Sequence, residues 1–283
     1  MIKKPLNEKI QDTEARWLSR LFHLTQSHFT NVGLPSHNHW HHLRVWGFMK
    51  ELLAQLNQQR IEYSQDEMDG LIIACFFHDA GMTQTLNEAH GRVGADLCRR
   101  YFIDHPRLAP HCILSVLEAI EIHDNKQYPG PRAAIERPPL SLLLTVADDL
   151  DAFGKTGILR YTEILILRGW KLEDLPARIL KNAQGRMNHL EATFAHNRPF
   201  IEKQRQRYNL LTAFFQPLAD SDRTAGKPEA LAMLRRVKNK IINKEGVHHR
   251  LTDLLEPTDT PFIQEFRKAL EKEWADHPAP ASI

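Results

Sequence analysis

Sixteen histidines stand in this chain of 283 residues, and eleven of them fall between His23 and His123. Imidazole and carboxylate move protons near neutral pH and ligate divalent transition metals. The segments where they meet apolar helical runs are therefore where chemistry is to be sought. Four stand out: HNHWHHLRV from His37, FFHDAGM from Phe76, NEAHGRVGADL from Asn87 and TVADDLDAFG from Thr145. A metal ion needs several deprotonated N and O donors converging on one point, and facing helices of a bundle supply them. The adjacent pair His78 and Asp79 matters most, because it directly follows an apolar run. Ionisable groups buried there need a partner or a metal to offset their desolvation.

The elements that must position these residues read as helices, since no segment sustains a period of two with β-branched residues. An all-α fold follows. Asp12 as N-cap and Trp17, Leu18, Leu21, Phe22 and Leu24 at core spacing predict an opening helix, ended by a loop with Gly33 and Pro35. Val45, Phe48, Met49, Leu52, Leu53 and Leu56 predict a second, with His41 on its first turns. Ser64 and Glu67 form a capping-box signature for a third helix through LIIACFFHDA, which Gly81 can stop. A fourth is predicted over 88–102, and a fifth from Pro110 to His123. The sixth, LSLLLTVADDLDAF, is apolar nearly all round. NKQYPGPRAAIERPP before it reads as a loop. Further amphipathic helices are predicted over 156–168, 173–197, 199–217, 228–243 and 260–275, with PLADSDRTAGKP the best linker signal. The predicted organisation is a core over 1–170 and a helical extension over 171–283.

Taken in order, His41, His78, Asp79 and Asp148 resemble the signature of the HD-domain metal-dependent phosphohydrolase superfamily. That signature is a His, a contiguous His-Asp and a distant Asp, all on helices. HNHWHHLRV is similar to the HNxxHxxxV start of many members, and ADDLDAFG to the usual ADxLDA ending. Singly, each residue is as readily structural; the set in its helical context is what points to a metal. The resemblance implies an all-α HD-domain helical bundle with a C-terminal helical extension, hydrolysing a phosphate ester in a nucleotide or other small phosphorylated metabolite.

EAHGRVGADL resembles the HxxxGA fragment of dinuclear members, which would make His90 a ligand of a second metal, and His123 lies where those members carry another His. With Asp79 bridging, the first metal would use His41, His78 and Asp148, and the second His90 and His123. Two such ions, about 3.5 to 4 Å apart, clamp a hydroxide. The other reading makes His90 a first-turn polar residue and His123 a helix C-terminal cation. One or two divalent ions are thus implied, and Mn, Fe, Co, Ni, Zn and Mg all remain open.

His37 matches the proton-donating His of cyclic-nucleotide phosphodiesterases, although SHN replaces the usual YHN. Glu88 can activate water or orient a ligand. Arg44, Lys155 and Arg160 are candidate phosphate anchors. HDAGM lacks the Lys that follows HDxG in the cyclic-di-GMP class, and the acidic pair of guanosine-tetraphosphate hydrolases is missing, so neither activity is implied. Some tandem-histidine members are di-iron oxygenases with the same ligand types, and a non-catalytic metal-containing regulatory protein is the third reading.

Composition sets the outer bounds. Lys plus Arg is 37 and Asp plus Glu is 35, a net charge of +2 that gives no general field for nucleic acid or membrane. Residues 155–250 are basic by about two to one, which reads as a solvated helix face rather than a nucleic-acid groove. Three cysteines and no hydrophobic leader or long apolar run suggest a cytoplasmic protein without a disulfide framework. A small phosphorylated substrate is the expected partner, and a homo-oligomer stays open.

Overall fold

The structure is a computed structural model that describes residues 4–87, 89–125, 137–220, 228–243, 250–256 and 260–275. Among these it contains eleven α-helices, four short 3-10 turns and no strand, in agreement with the all-α reading. No helix of the described residues is long and apolar enough to cross a membrane. The two predicted loops fall largely outside the described residues, at 126–136 and 221–227.

The chain forms two compact units. The first comprises the described residues up to Thr30 together with His37–Asp148, and the second comprises Asn31–Ser36 with the described residues from Asp149 onward. The first unit holds α1 (Leu6–Phe29), α2 (His39–Gln58), α3 (Gln65–Phe77), α4 (His90–Asp104), α5 (Ile113–Ile122) and most of α6 (Leu140–Asp151), whose last three residues count with the second.

Helix α3 is the axis of the first unit. Ser64 closes its N-terminus with the predicted capping box: its hydroxyl accepts from the Glu67 amide, and the Glu67 carboxylate accepts from the Ser64 amide at 2.8 Å. From Met68 to Phe77 every residue is buried. A helix apolar on all sides must be enclosed, and α1, α2, α4 and α5 pack around it. Its one buried carboxylate in that stretch, Asp69, accepts hydrogen bonds from Thr13 at 2.9 Å and from Arg16.

Several helix ends differ from the sequence expectation for local reasons. Helix α1 begins at Leu6, so Asp12 lies inside it, ion-paired to Lys4 rather than capping. Helix α5 begins at Ile113 instead of Pro110, because the Asp66 carboxylate takes the His111 and Cys112 amides at 2.7 and 2.8 Å and holds that stretch as a turn. Helix α4 begins at His90, after Asn87 Oδ1 accepts from the Ala89 amide.

The second unit holds α7 (Gly154–Leu167), α8 (Leu175–Thr193), α9 (Arg198–Ala219), α10 (Pro228–Asn243) and α11 (Pro261–Ala275). Helix α7 is buried along most of its length, and α8, α9, α10 and α11 pack on it. Its start uses Gly154 at φ +69, in the left-handed region where glycine carries no steric cost.

Removing the Ser64 hydroxyl leaves the Glu67 amide uncapped. Ser64→Ala is expected to lower unfolding stability by about 1 kcal/mol, measured by urea denaturation.

Candidate metal centre

Five chain segments of the first unit bring imidazoles and carboxylates to one place. Asn38 caps α2 by accepting from the Trp40 amide at 3.0 Å, which starts the helix at His39 and sets His41 on its first turn. At the other end of the apolar α3, His78 is the C-cap and Asp79 leads into the 3-10 turn Ala80–Thr83. Helix α4 opens with His90, α5 ends against its C-cap His123, and α6 contributes Asp148. His41, His78, Asp79, His90, His123 and Asp148 are all buried.

The two oxygens of Asp79 face different imidazoles. Oδ2 lies 3.3 Å from His41 Nε2 and 3.5 Å from His78 Nε2. Oδ1 lies 3.3 Å from His90 Nε2 and 3.2 Å from His123 Nε2. Asp148 Oδ1 joins the first set, 3.5 Å from His41 Nε2 and 3.9 Å from His78 Nε2. The result is two groups of donors able to hold metal ions, His41–His78–Asp79–Asp148 and Asp79–His90–His123, sharing one carboxylate.

The donor chemistry fits divalent ions. A backbone carbonyl only accepts, so the ring nitrogen bonded to it carries the hydrogen. His78 Nδ1 donates to the Cys75 carbonyl at 2.9 Å, His90 Nδ1 to that of Asn87 at 2.7 Å and His123 Nδ1 to that of Ile120 at 2.7 Å. In the neutral rings each Nε2 is then a lone pair. Yet His90 Nε2 and His123 Nε2 stand 3.3 Å apart. Lone pairs meeting each other and carboxylate oxygens at such distances repel unless a cation lies among them. Backbone-fixed tautomers of this kind are how metal-ligating histidines are oriented.

The electrostatics agree. Burial pushes His78 down to about 3, so the imidazole is neutral and ready to ligate. Burial alone would raise the Asp79 carboxyl, but His78, His123, His41 and His90 together hold it well below the usual carboxylate range. His90 goes the other way: burial opposes its charge, yet the hydrogen bond and charge of Asp79 raise it to about 9. The second group thus attracts positive charge even when only a proton is at hand.

Residues 40–153 match the family model described as HD domain. The chain carries an HD domain. The match spans all six buried residues of the two donor groups, and HD domains belong to the metal-dependent phosphohydrolase superfamily. The chain has no significant match among curated proteins or among solved structures.

The other sequence-predicted residues are placed as follows. His37 precedes the HD-domain match and the first turn of α2, so it does not share a helix face with His41, but its buried ring lies 5.7 Å from that of His41. Arg44 is buried in α2 of the first unit. Lys155 and Arg160 belong to the second unit, on α7, where Arg160 is buried and pairs with Asp151 at 3.2 Å. Glu88 lies outside the described residues.

The sequence reading missed how α4 reaches the site. Gly81 does not end α3 as a left-handed cap, since α3 ends at Phe77 and Gly81 sits inside the following 3-10 turn. Its role is close approach. A Cβ there would lie 2.0 Å from the His90 carbonyl oxygen, and one on Gly91 would lie 2.6 Å from that of Glu121. Missing side chains at these two contacts let α4 lie against both the turn after Asp79 and the end of α5, which brings His90 to Asp79 and His123. The Gly81 signal was visible as HDxG, but its steric meaning needs the fold.

Gly81→Ala is expected to destabilise the protein by about 1–3 kcal/mol, the usual result of overpacking, and to displace His90. Gly33→Ala, where nothing lies within 4 Å of the added carbon, is the control. Thermal unfolding and metal titration together check the outcome: stability and metal affinity should both fall in Gly81→Ala and hold in Gly33→Ala.

Proposed function

We propose that the chain is a dinuclear metal-dependent phosphohydrolase acting on a nucleotide or other small phosphorylated metabolite. The carrying observation is the split of Asp79, with one oxygen toward His41 and His78 and the other toward His90 and His123. A single carboxylate shared in this way is what a bridging ligand requires. In this reading His41, His78, Asp79 and Asp148 hold one ion, and Asp79, His90 and His123 the other. The same reading takes 1–170 as the catalytic part and 171–283 as the extension, a functional division that does not coincide with the compact units, of which the second resumes at Asp149.

Divalent ions held there supply Lewis acidity for the phosphoryl oxygens and an ionised water near neutral pH. The protein's own part is to keep the donors deprotonated and fixed. Carbonyls of Cys75, Asn87 and Ile120 hold three imidazoles in the ligating tautomer. Burial keeps bulk water from competing for them and strengthens every charge interaction. His37, whose ring lies 5.7 Å from that of His41, is the proton donor proposed for the leaving oxygen, and Arg44 in the same unit is the phosphate anchor proposed. For Arg160, the pairing with Asp151 makes such a role depend on exchanging one carboxylate for a phosphate.

The same two donor groups are also what a di-iron oxygenase would use, so metal identity separates the two activities. Two equivalents of iron with dioxygen uptake favour the oxygenase; Mn, Ni, Co, Zn or Mg with phosphate release from a nucleotide panel favours the hydrolase. Asp79→Ala is expected to remove both ions and reduce turnover at least about a thousandfold, with helicity near native by circular dichroism. Retained metal with full turnover rejects the assignment. His90→Ala is expected to lower the metal content from about two per chain to about one, and unchanged stoichiometry rejects the dinuclear reading.

A further inference from the structure

The dinuclear reading leaves its two positions unequal. The group around His41 has two carboxylates, Asp79 and Asp148, whereas the group around His90 has two imidazoles and only a share of Asp79. A divalent ion in the second position would carry more uncompensated charge than one in the first.

Asp124 stands where that charge is needed. It follows His123 directly, so the chain presents a second His-Asp dipeptide at 123–124 after the one at 78–79. Its Oδ2 lies 4.0 Å from His90 Nε2. That is too long for a hydrogen bond. That separation alone falls inside the range, about 3 to 4.2 Å, between two donors of one ion with bonds of about 2.0–2.2 Å, but Asp124 is not among the donor atoms that all lie within 4.8 Å of one another. The contacts His90–Asp79, His123–Asp79 and His90–His123, at 3.3, 3.2 and 3.3 Å, occupy the same range. Asp124 also differs in exposure. Its side chain is 25% exposed, against 5% for Asp79 and 8% for Asp148. It is therefore a carboxylate at the solvent edge, one step outside the three convergent donors.

We infer that Asp124 is the outer carboxylate of the second metal position, supplying the negative charge that retains a divalent ion between Asp79, His90 and His123. The inference rests on the dinuclear reading. With Asp79, Asp148 and Asp124 ionised and the imidazoles neutral, two divalent ions leave one net positive charge, which a single hydroxide neutralises. Without Asp124 the second ion is held by two neutral rings and a shared carboxylate.

The test uses the full chain stripped with chelator and titrated with Mn2+, scoring free ion by electron paramagnetic resonance and bound ion by elemental analysis. Asp124→Asn keeps the size and removes the charge. It is expected to weaken the second equivalent by about ten- to a hundredfold, the usual loss when an outer partner of a metal site is removed, with the first equivalent unchanged. Asp124→Glu is expected to restore most of that affinity, which a purely packing role would not produce. If Asp124→Asn binds two ions with unaltered affinity while His90→Ala binds one, the dinuclear reading stands and the role of Asp124 is overturned. If the unaltered protein binds one ion and His90→Ala leaves that number unchanged, the dinuclear reading falls and Asp124 falls with it.

Discussion

A buried carboxylate is the constraint from which this HD domain is built. Asp79 is 4% exposed, and an isolated charge at such a site costs several kcal/mol. The apolar side chains of α3 offset none of that. The offset comes from four imidazoles brought from α2, the end of α3, the start of α4 and the end of α5, each with Nε2 within 3.5 Å of one of its oxygens. Those distances suit donors around a cation as well as they suit ion pairs. The arrangement therefore favours positive charge, as metal or proton, among the rings, in line with the raised His90 beside Asp79.

That demand explains the packing around it. Five elements must end or begin within a few ångströms of one carboxylate. Helix α3 is enclosed on all sides, so the His78–Asp79 pair is delivered with little freedom. Helix α4 lies close enough only because Gly81 and Gly91 present no side chain to the carbonyls of His90 and Glu121. The three carbonyl-bound Nδ1 atoms then remove ring rotation as a variable. Fixing donors in advance puts the cost of ordering them into folding rather than into ion binding.

Much of this was legible in the chain itself. His41, His78, Asp79, His90, His123 and Asp148 could be named because apolar periodicity fixed which helix carried each and chain order matched a known arrangement. The capping box at Ser64 and the all-α architecture came from local signals that the tertiary structure does not contest. Helix starts were less legible where a distant side chain competes for backbone amides. Asp66 takes the amides of His111 and Cys112, from a helix more than 40 residues earlier, so Pro110 does not open α5. Likewise Gly81 looked like a helix stop, and only the neighbouring α4 shows it as a contact. Asp124 was passed over because a single carboxylate after a helix end carries no periodicity.

The three carboxylates near the end of α6 show why type and spacing alone do not assign roles. Asp148, Asp149 and Asp151 are all buried, so none is the solvated face that such a run suggests. Within the first unit, Asp148 faces the His41 and His78 rings. Within the second, Asp149 pairs with Arg186 at 3.2 Å and lies 3.9 Å from His189, while Asp151 pairs with Arg160. A carboxylate paired with a guanidinium has little left to offer a metal, whereas Asp148 belongs to a group of donors able to hold one. The partner, more than the residue, therefore separates the ligand from its neighbours. The same rule singles out Asp79, whose buried charge is met by imidazoles on both oxygens.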